Sequence, residues 1–396
     1  MSGPVHPVPL ELGIDARSVR LLARAWRERI PVACLDRRLA AEARSRLAAL
    51  CRRHVLPPGG REPGLVLFTT GTTGEPKGVL LSRRAIEEAC EASAARLGWR
   101  PRDRWGLVLS PARAGGAAIV LRCLLAGRPA VPGPARGGPA ALARWIAEEG
   151  ITLLSLVPAQ LARLFRELPG WRPPPSLRAV LLGGAAPSPA LLAEAARRGV
   201  PALPTWGMTE TFGQVATVPP GTPPDPALGA GPPLPGRRVR VREGRLEVSG
   251  IGLMEGYWPP GSGPDPWSPD GWLVTSDRGR LDESGRVHVL GRADDVIVTG
   301  GEKVDPAAVE AFLCRLPGVD EALVFGVPDG TWGELVAAAI VPGDTFSREE
   351  FRRALGSLSP AERPRRIALV DGLPLRGGKP DRRRASRLLA VLLEPP

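Results

Sequence analysis

The stretch "LVLFTTGTTGEPKGVLLS", Leu65–Ser82, decides the reading of this chain. It opens on a short apolar run, "LVLFT" (65–69), with the character of a buried strand, and passes into a loop of hydroxyls, two spaced glycines and one lysine. Such a loop is built to hold phosphate. Its glycines let the backbone come close, its free N–H groups face the anion, and Thr69, Thr70, Thr72 and Thr73 add hydroxyl donors. It is not a Walker loop. Gly71 and Gly74 stand too close together for G-x-x-x-x-G-K-[ST], Pro76 precedes Lys77, and Gly78 occupies the place of the magnesium-binding Ser or Thr.

Downstream the same texture continues. "GLVLS" (106–110), "ITLLSLV" (151–157) and "LRAVLLG" (177–183) read as buried strands. Between them, residues 82–98, 141–150, 158–168 and 188–199 carry apolar residues at helical spacing. Alternating strands and helices predict an α/β fold, a largely parallel sheet covered by helices, with ligands at the carboxyl ends of its strands. After the Pro/Gly-rich segment 219–236, "RVRVRE", "RLEVS", "GWLVT" and "RVHVLG" predict a small β-rich subdomain. From about residue 294, alternating helical and strand patterns predict a compact α+β domain.

The composition narrows the class. A chain of 396 residues, 43% hydrophobic and 24% charged, reads as two or three globular domains. No apolar run reaches membrane-spanning length, and the first residues show no signal-peptide pattern, so a cytoplasmic enzyme is expected. Five scattered cysteines argue against a disulfide framework, and three histidines against a His-based zinc site. The net charge of +12 fits an Arg-rich solvated surface or attraction of small polyanions. Aromatic residues do not interleave with the basic clusters, which argues against a nucleic-acid stacking platform. Of 53 basic residues only Lys77, Lys303 and Lys379 are lysines, and there is no asparagine, a bias that fits GC-rich coding or adaptation to heat. Where Arg has replaced Lys almost everywhere, a remaining lysine marks a task for a compact ammonium that a planar fork would not fit.

"TTGTTGEPKGV" resembles the signature of the acyl-adenylate-forming (AMP-binding) enzymes: acyl- and aryl-CoA ligases, adenylation domains of peptide synthetases, and luciferases. The resemblance continues in order through "LLGGAAPS" (181–188), "TWGMTET" (205–211), residues 270–310 and "LPLRGGKPDRR" (373–383), and all three lysines fall inside these motifs. It implies an adenylation core over residues 1–293, with the β-rich part at about 229–293. A small, mobile C-terminal domain over 294–396 would swing on a hinge at Asp294.

The resemblance also implies roles. Thr69, Thr70, Gly71, Thr72, Thr73, Gly74 and Lys77 would cradle the β- and γ-phosphates of ATP. Gly183, Gly184, Ala185, Trp206 and Gly207 would hold adenine, and Asp277 with Arg292 the ribose. Thr209 would meet the α-phosphate and Glu210 would bind Mg2+. Lys379 would bridge the reacting carboxylate and the α-phosphate. Gly300 and Gly301 would line the path of coenzyme A, with Lys303 near a phosphate. The acyl pocket would lie near Ser155, Gly183 and Thr205. Within the family, residues 155–165 and 181–201 are similar to the o-succinylbenzoate–CoA ligases of menaquinone synthesis, with a shortened N-terminal subdomain. The implied partners are a small carboxylic acid, ATP and coenzyme A, in a monomer or homodimer. Another acyl- or aryl-CoA ligase, a carrier-protein adenylating enzyme, and a non-catalytic adenylate- or nucleic-acid-binding protein are the alternatives.

Overall fold

The computed structural model describes residues 4–58, 60–70, 76–134, 137–376 and 379–396, with Thr70, Pro76, Arg376 and Lys379 described by backbone alone. The chain opens with β1 (Val8–Leu12), α1 (Ala16–Arg27), β2 (Val32–Asp36), α2 (Ala41–Arg53), β3 (Pro63–Thr70) and β4 (Pro76–Ser82). β1, β2 and β3 are parallel. β3 and β4 are antiparallel, with Phe68 opposite Gly78 and Thr69 opposite Lys77. β3 and β4 are joined by only five residues, and a connection this short can return only antiparallel. β4 ends at Ser82, whose hydroxyl accepts from the Ala85 N–H at 3.2 Å and caps α3 (Arg83–Leu97). α3 stops at Gly98, where φ is +61°.

A second sheet follows, built from β5 (Trp105–Leu107), α4 (Ala114–Leu125), β6 (Ala130–Pro132), α5 (Gly138–Glu148), β7 (Leu153–Leu156), α6 (Pro158–Glu167), β8 (Ala179–Leu182), α7 (Pro189–Arg197), β9 (Ala202–Met208) and β10 (Gly213–Thr217). Its order is β10-β9-β8-β7-β5-β6, parallel except for β10. The expected α/β class with a largely parallel, helix-covered sheet holds, divided between two sheets with antiparallel edges. α4 escaped the sequence reading because it is buried nearly all round, from Gly116 to Cys123, and has no polar face to give it a period.

β11 (Arg237–Arg242) and β12 (Arg245–Gly250) begin the β-rich part; β13 (Gly256–Trp258) then returns to the first sheet and pairs with β4. β14 (Leu273–Leu281) and β15 (Val287–Arg292) complete the four-stranded sheet β11-β12-β14-β15. The remaining elements are β16 (Ile297–Thr299), β17 (Glu302–Val304), α8 (Pro306–Leu313), β18 (Val319–Asp329), β19 (Gly333–Pro342), α9 (Arg348–Ala354), β20 (Arg366–Leu369), β21 (Leu375–Arg376), β22 (Lys379–Pro380) and α10 (Arg382–Leu388). They gather around their own apolar core, including Ile297, Leu313, Val324, Ile340 and Ile367. Arg278 to Asp305 (3.0 Å) and Arg166 to Glu321 (3.3 Å) tie this part to the preceding sheets.

Candidate active site

The site gathers where β9 meets the β14–β15 pair, with the start of β4 near Arg292 and the loop after β8 pressed on β9. At the end of β8, the Gly183 N–H donates to the Leu156 carbonyl at 3.2 Å and Gly184 has φ of +85°. A Cβ on Gly183 would lie 2.9 Å from Thr205 Cγ2, so this loop presses directly on β9. Ala185 follows on the same turn. The Thr205 hydroxyl donates to the Ala216 carbonyl at 2.9 Å, which locks β9 to β10. Gly207 faces Gln214 across the same pair, and any side chain on it would run into the Gly213 carbonyl.

Beyond β9 the chain makes one 3-10 turn, Thr209–Thr211, and reverses at Phe212, which is fully buried with φ of +49°. This tight reversal carries Thr209 and Glu210 at its outer side. Its backbone is fastened from beneath by Arg237, itself only 5% exposed, which donates to the Gln214, Thr211 and Gly252 carbonyls at 2.6, 2.8 and 3.3 Å.

Trp206 is buried, and its indole N–H donates to Asp277 Oδ2 at 2.7 Å. Asp277 and Arg292 are cross-strand partners on β14 and β15, 3.7 Å apart at their charged ends. Arg292 also donates to Asp294 Oδ2 at 2.9 Å. Burial works against the Arg292 charge, but the carboxylates of Asp277, Asp294 and Asp295 outweigh it and hold the guanidinium above its usual range. Trp206, Asp277, Arg292 and Asp294 therefore form one continuous polar chain.

Lys77 lies at the other side, its Nζ 3.6 Å from the centroid of the Tyr257 ring. Burial lowers its pKa, partly offset by Glu210 and Asp294 and reinforced by Arg292. The Tyr257 hydroxyl donates to Glu210 Oε1 at 3.0 Å. Burial, then the Glu210 charge, pushes the phenol up, so it stays a donor. Tyr257 was not among the residues the sequence reading singled out. The signal was its count, since the chain has a single tyrosine.

The donor set suits magnesium. A carboxylate beside a threonine hydroxyl is hard-oxygen chemistry, and among the described residues no group of three or more His, Cys, Asp or Glu could cage a metal without phosphate. One carboxylate completed by phosphate oxygens and water is the usual magnesium arrangement.

In the last hundred residues, Gly300 and Gly301 make the β16–β17 turn with φ of +57° and +86°, which only glycine adopts freely. A Cβ on Gly300 would come within 2.7 Å of the Trp332 ring, whereas Gly301 faces open space. Lys303 follows on β17, opposite Val298. Lys379 begins β22, pairing with Arg376 of β21. This hairpin is anchored by Arg382, which donates to Asp295 Oδ2 at 3.0 Å, the Val324 carbonyl at 3.0 Å and Glu310 at 2.7 Å. The Ser155 hydroxyl accepts from the buried Trp105 indole N–H at 3.1 Å and belongs to the core packing. Thr69 contacts the Lys77 carbonyl at 3.4 Å across the hairpin. Gly71, Thr72, Thr73 and Gly74 lie outside the described residues, as do the side chains of Thr70 and Lys379.

Comparison with known proteins follows the same outline. The AMP-binding enzyme family profile matches residues 23–258, and that of the AMP-binding enzyme C-terminal domain matches 308–379. A 2-succinylbenzoate–CoA ligase of Geobacillus kaustophilus is 35% identical over 330 residues, 79% of this chain and 66% of that protein. The chain thus spans just under two thirds of that relative's length. A Mycobacterium tuberculosis protein named "Probable 2-succinylbenzoate–CoA ligase" is 38% identical over 333 residues, covering 80% of this chain and 82% of its own. The o-succinylbenzoate CoA synthetase of Bacillus subtilis bound to its acyl-adenylate intermediate superposes with a TM-score of 0.79 at 25% identity, over 96% of this chain and 87% of that one. Its complex with ATP and magnesium ion gives 0.77 at 25% identity, over 96% and 89%.

Proposed function

This chain belongs to the AMP-binding enzyme family, and on that premise we propose that it is an ATP-dependent acid–thiol ligase acting on o-succinylbenzoate. The acid attacks the α-phosphate of ATP to give acyl-AMP and pyrophosphate; the thiol of coenzyme A then displaces AMP. The observation that carries this reading is the polar chain from Trp206 through Asp277 and Arg292 to Asp294, set beside Lys77 and Glu210.

The first half-reaction brings two anions together, so the site must neutralise both and stabilise the charge that builds on the leaving group. Lys77 and the hairpin tip hold the pyrophosphate end. Thr209 donates to the α-phosphate. Trp206 packs against adenine while its N–H orients Asp277, whose carboxylate accepts from the ribose hydroxyls. Glu210 would hold the magnesium ion, which would supply neutralisation of phosphate charge. Lys379, on the small domain, places a point charge between carboxylate and α-phosphate. Rotation about Asp294 then withdraws Lys379 and brings the Gly300–Gly301 turn to the thiol path. The enzyme works in the cytoplasm on small molecules, alone or as a homodimer.

Pyrophosphate release across a panel of acids, followed by mass detection of the thioester, tests this. o-Succinylbenzoate is expected to turn over far faster than benzoate or hexanoate; equal rates would end the substrate assignment.

A further inference from the structure

We propose that Tyr257 is a positioning residue that keeps Lys77 and Glu210 apart, its ring seating the ammonium and its hydroxyl seating the carboxylate. This rests on the reading of Glu210 as the magnesium carboxylate and Lys77 as the pyrophosphate cation.

The arrangement is built by three distant pieces of chain. Lys77 lies on β4, Glu210 in the turn after β9, and Tyr257 on β13. Tyr257 is the cross-strand partner of Val79, so Lys77, two residues from Val79, projects on the same face and meets the ring as a diagonal pair. Gly263 packs beside both the ring edge and the Lys77 side chain. A Cβ there would stand 2.8 Å from the ring and 3.3 Å from Lys77 Cδ. Gly263 and Lys77 together thus limit how far the ring can swing, and its hydroxyl is tied to Glu210.

The segment bearing Tyr257 is also strapped to the Glu210 turn along its backbone. The Met254 N–H donates to the Glu210 carbonyl at 2.8 Å, and Arg237 spans the Thr211 and Gly252 carbonyls at 2.8 and 3.3 Å. Three links of different kinds thus fix the 252–257 segment against the turn.

The chemical consequence concerns charge. Lys77 and Glu210 are close enough to act on one another. Paired directly, each would satisfy the other, and magnesium and phosphate would have to break that pair first. A neutral phenol between them gives the ammonium a partner that is not an anion and the carboxylate a donor that is not a cation. Both charges stay aimed and available, which is preorganisation for a magnesium–phosphate group. A phenylalanine would do half of this task and an aliphatic residue none of it.

The test uses the full chain with Tyr257→Phe and Tyr257→Leu, and reads ATP binding calorimetrically across a magnesium titration without acid, so that no turnover is needed. In Tyr257→Phe the half-saturating magnesium concentration should rise about tenfold or more, the loss of one hydrogen bond to a charged group. ATP affinity at saturating magnesium should be unchanged. Tyr257→Leu should show the same magnesium shift and, in addition, bind ATP about three- to tenfold more weakly at saturating magnesium. An unshifted magnesium titration in Tyr257→Phe, or two variants that behave alike, overturns the proposal. So does weaker ATP binding in Tyr257→Phe accompanied only by a lowered melting temperature, which marks a purely structural contact. Wild-type ATP binding that does not respond to magnesium would instead remove the underlying reading of Glu210, and the proposal with it.

Discussion

Among single residues, Trp206 makes the sharpest case. Its ring and its N–H serve different ends, and Trp206→Phe separates them by keeping an aromatic face while removing the donor to Asp277. The KM for ATP is expected to rise about three- to tenfold, the worth of one hydrogen bond, with the KM for the acid unchanged. Steady-state kinetics with each substrate varied checks this, and an equal rise in both would show that the indole supports the acyl pocket instead. This residue was legible in the sequence, because "TWGMTET" and the Asp277 motif can be read separately. Their hydrogen bond was not, since 71 residues of sequence separate the partners. Arg237 was illegible for a related reason, and Tyr257 was marked only by being the single tyrosine. Neither sits in a phosphate-binding pattern, and each acts by touching backbone or a side chain supplied from elsewhere.

For the elements, hydrophobic period found what it could find. The strand–helix alternation from Leu65 to Arg197 was readable because its helices keep a wet face and its strands are short apolar runs between turns. α4 lacks the wet face, and β4 was hidden because a loop ending in Pro-Lys-Gly gives no hint that the chain will pair back on β3. What joins these strands is polar. Asp103, just before β5, is 2% exposed and accepts from Arg178 at 2.5 and 2.9 Å, from Thr152 at 2.9 Å and from the Arg100 N–H at 2.7 Å. Burial alone would raise its pKa; these donors outweigh it and hold the carboxyl below its ordinary value. A lowered folded pKa means stability that is present above the unfolded value and lost as pH falls through the folded one. Asp103→Asn should therefore cost about 3–5 kcal/mol near neutrality, by leaving Arg178 buried without its anion. Urea denaturation at pH 7 and below pH ~4 should show the gap between variant and wild type narrowing in acid; a constant gap would contradict the ionic origin. The β21–β22 hairpin invites a different test. Lys379→Ala should abolish pyrophosphate release yet spare thioester formation from supplied acyl-AMP, and equal loss in both steps would remove Lys379 from its proposed place.

For the whole molecule, the proposed rotation of the last hundred residues turns on the contacts that hold them to the rest. Arg278 and Asp305 form a 3.0 Å pair across that boundary, and Asp305 also caps α8 through the Ala307 N–H. Arg278→Met breaks the pair and leaves the cap. Because the pair is partly exposed, stability should change by less than about 1 kcal/mol, while the ratio of the two half-reaction rates should shift severalfold. Single-turnover measurement of each step decides, and an unchanged ratio would mean that the pair does not bias the arrangement. The near-absence of lysine has a practical consequence at this scale. A protease that cuts only after lysine meets three candidate bonds, and Pro380 shields the one after Lys379. The other two follow Lys77, on β4 opposite Thr69, and Lys303, on β17 opposite Val298. Each of these bonds lies within a strand and leads into a buried residue, Gly78 or Val304, so native digestion would report how often β4 and β17 open locally.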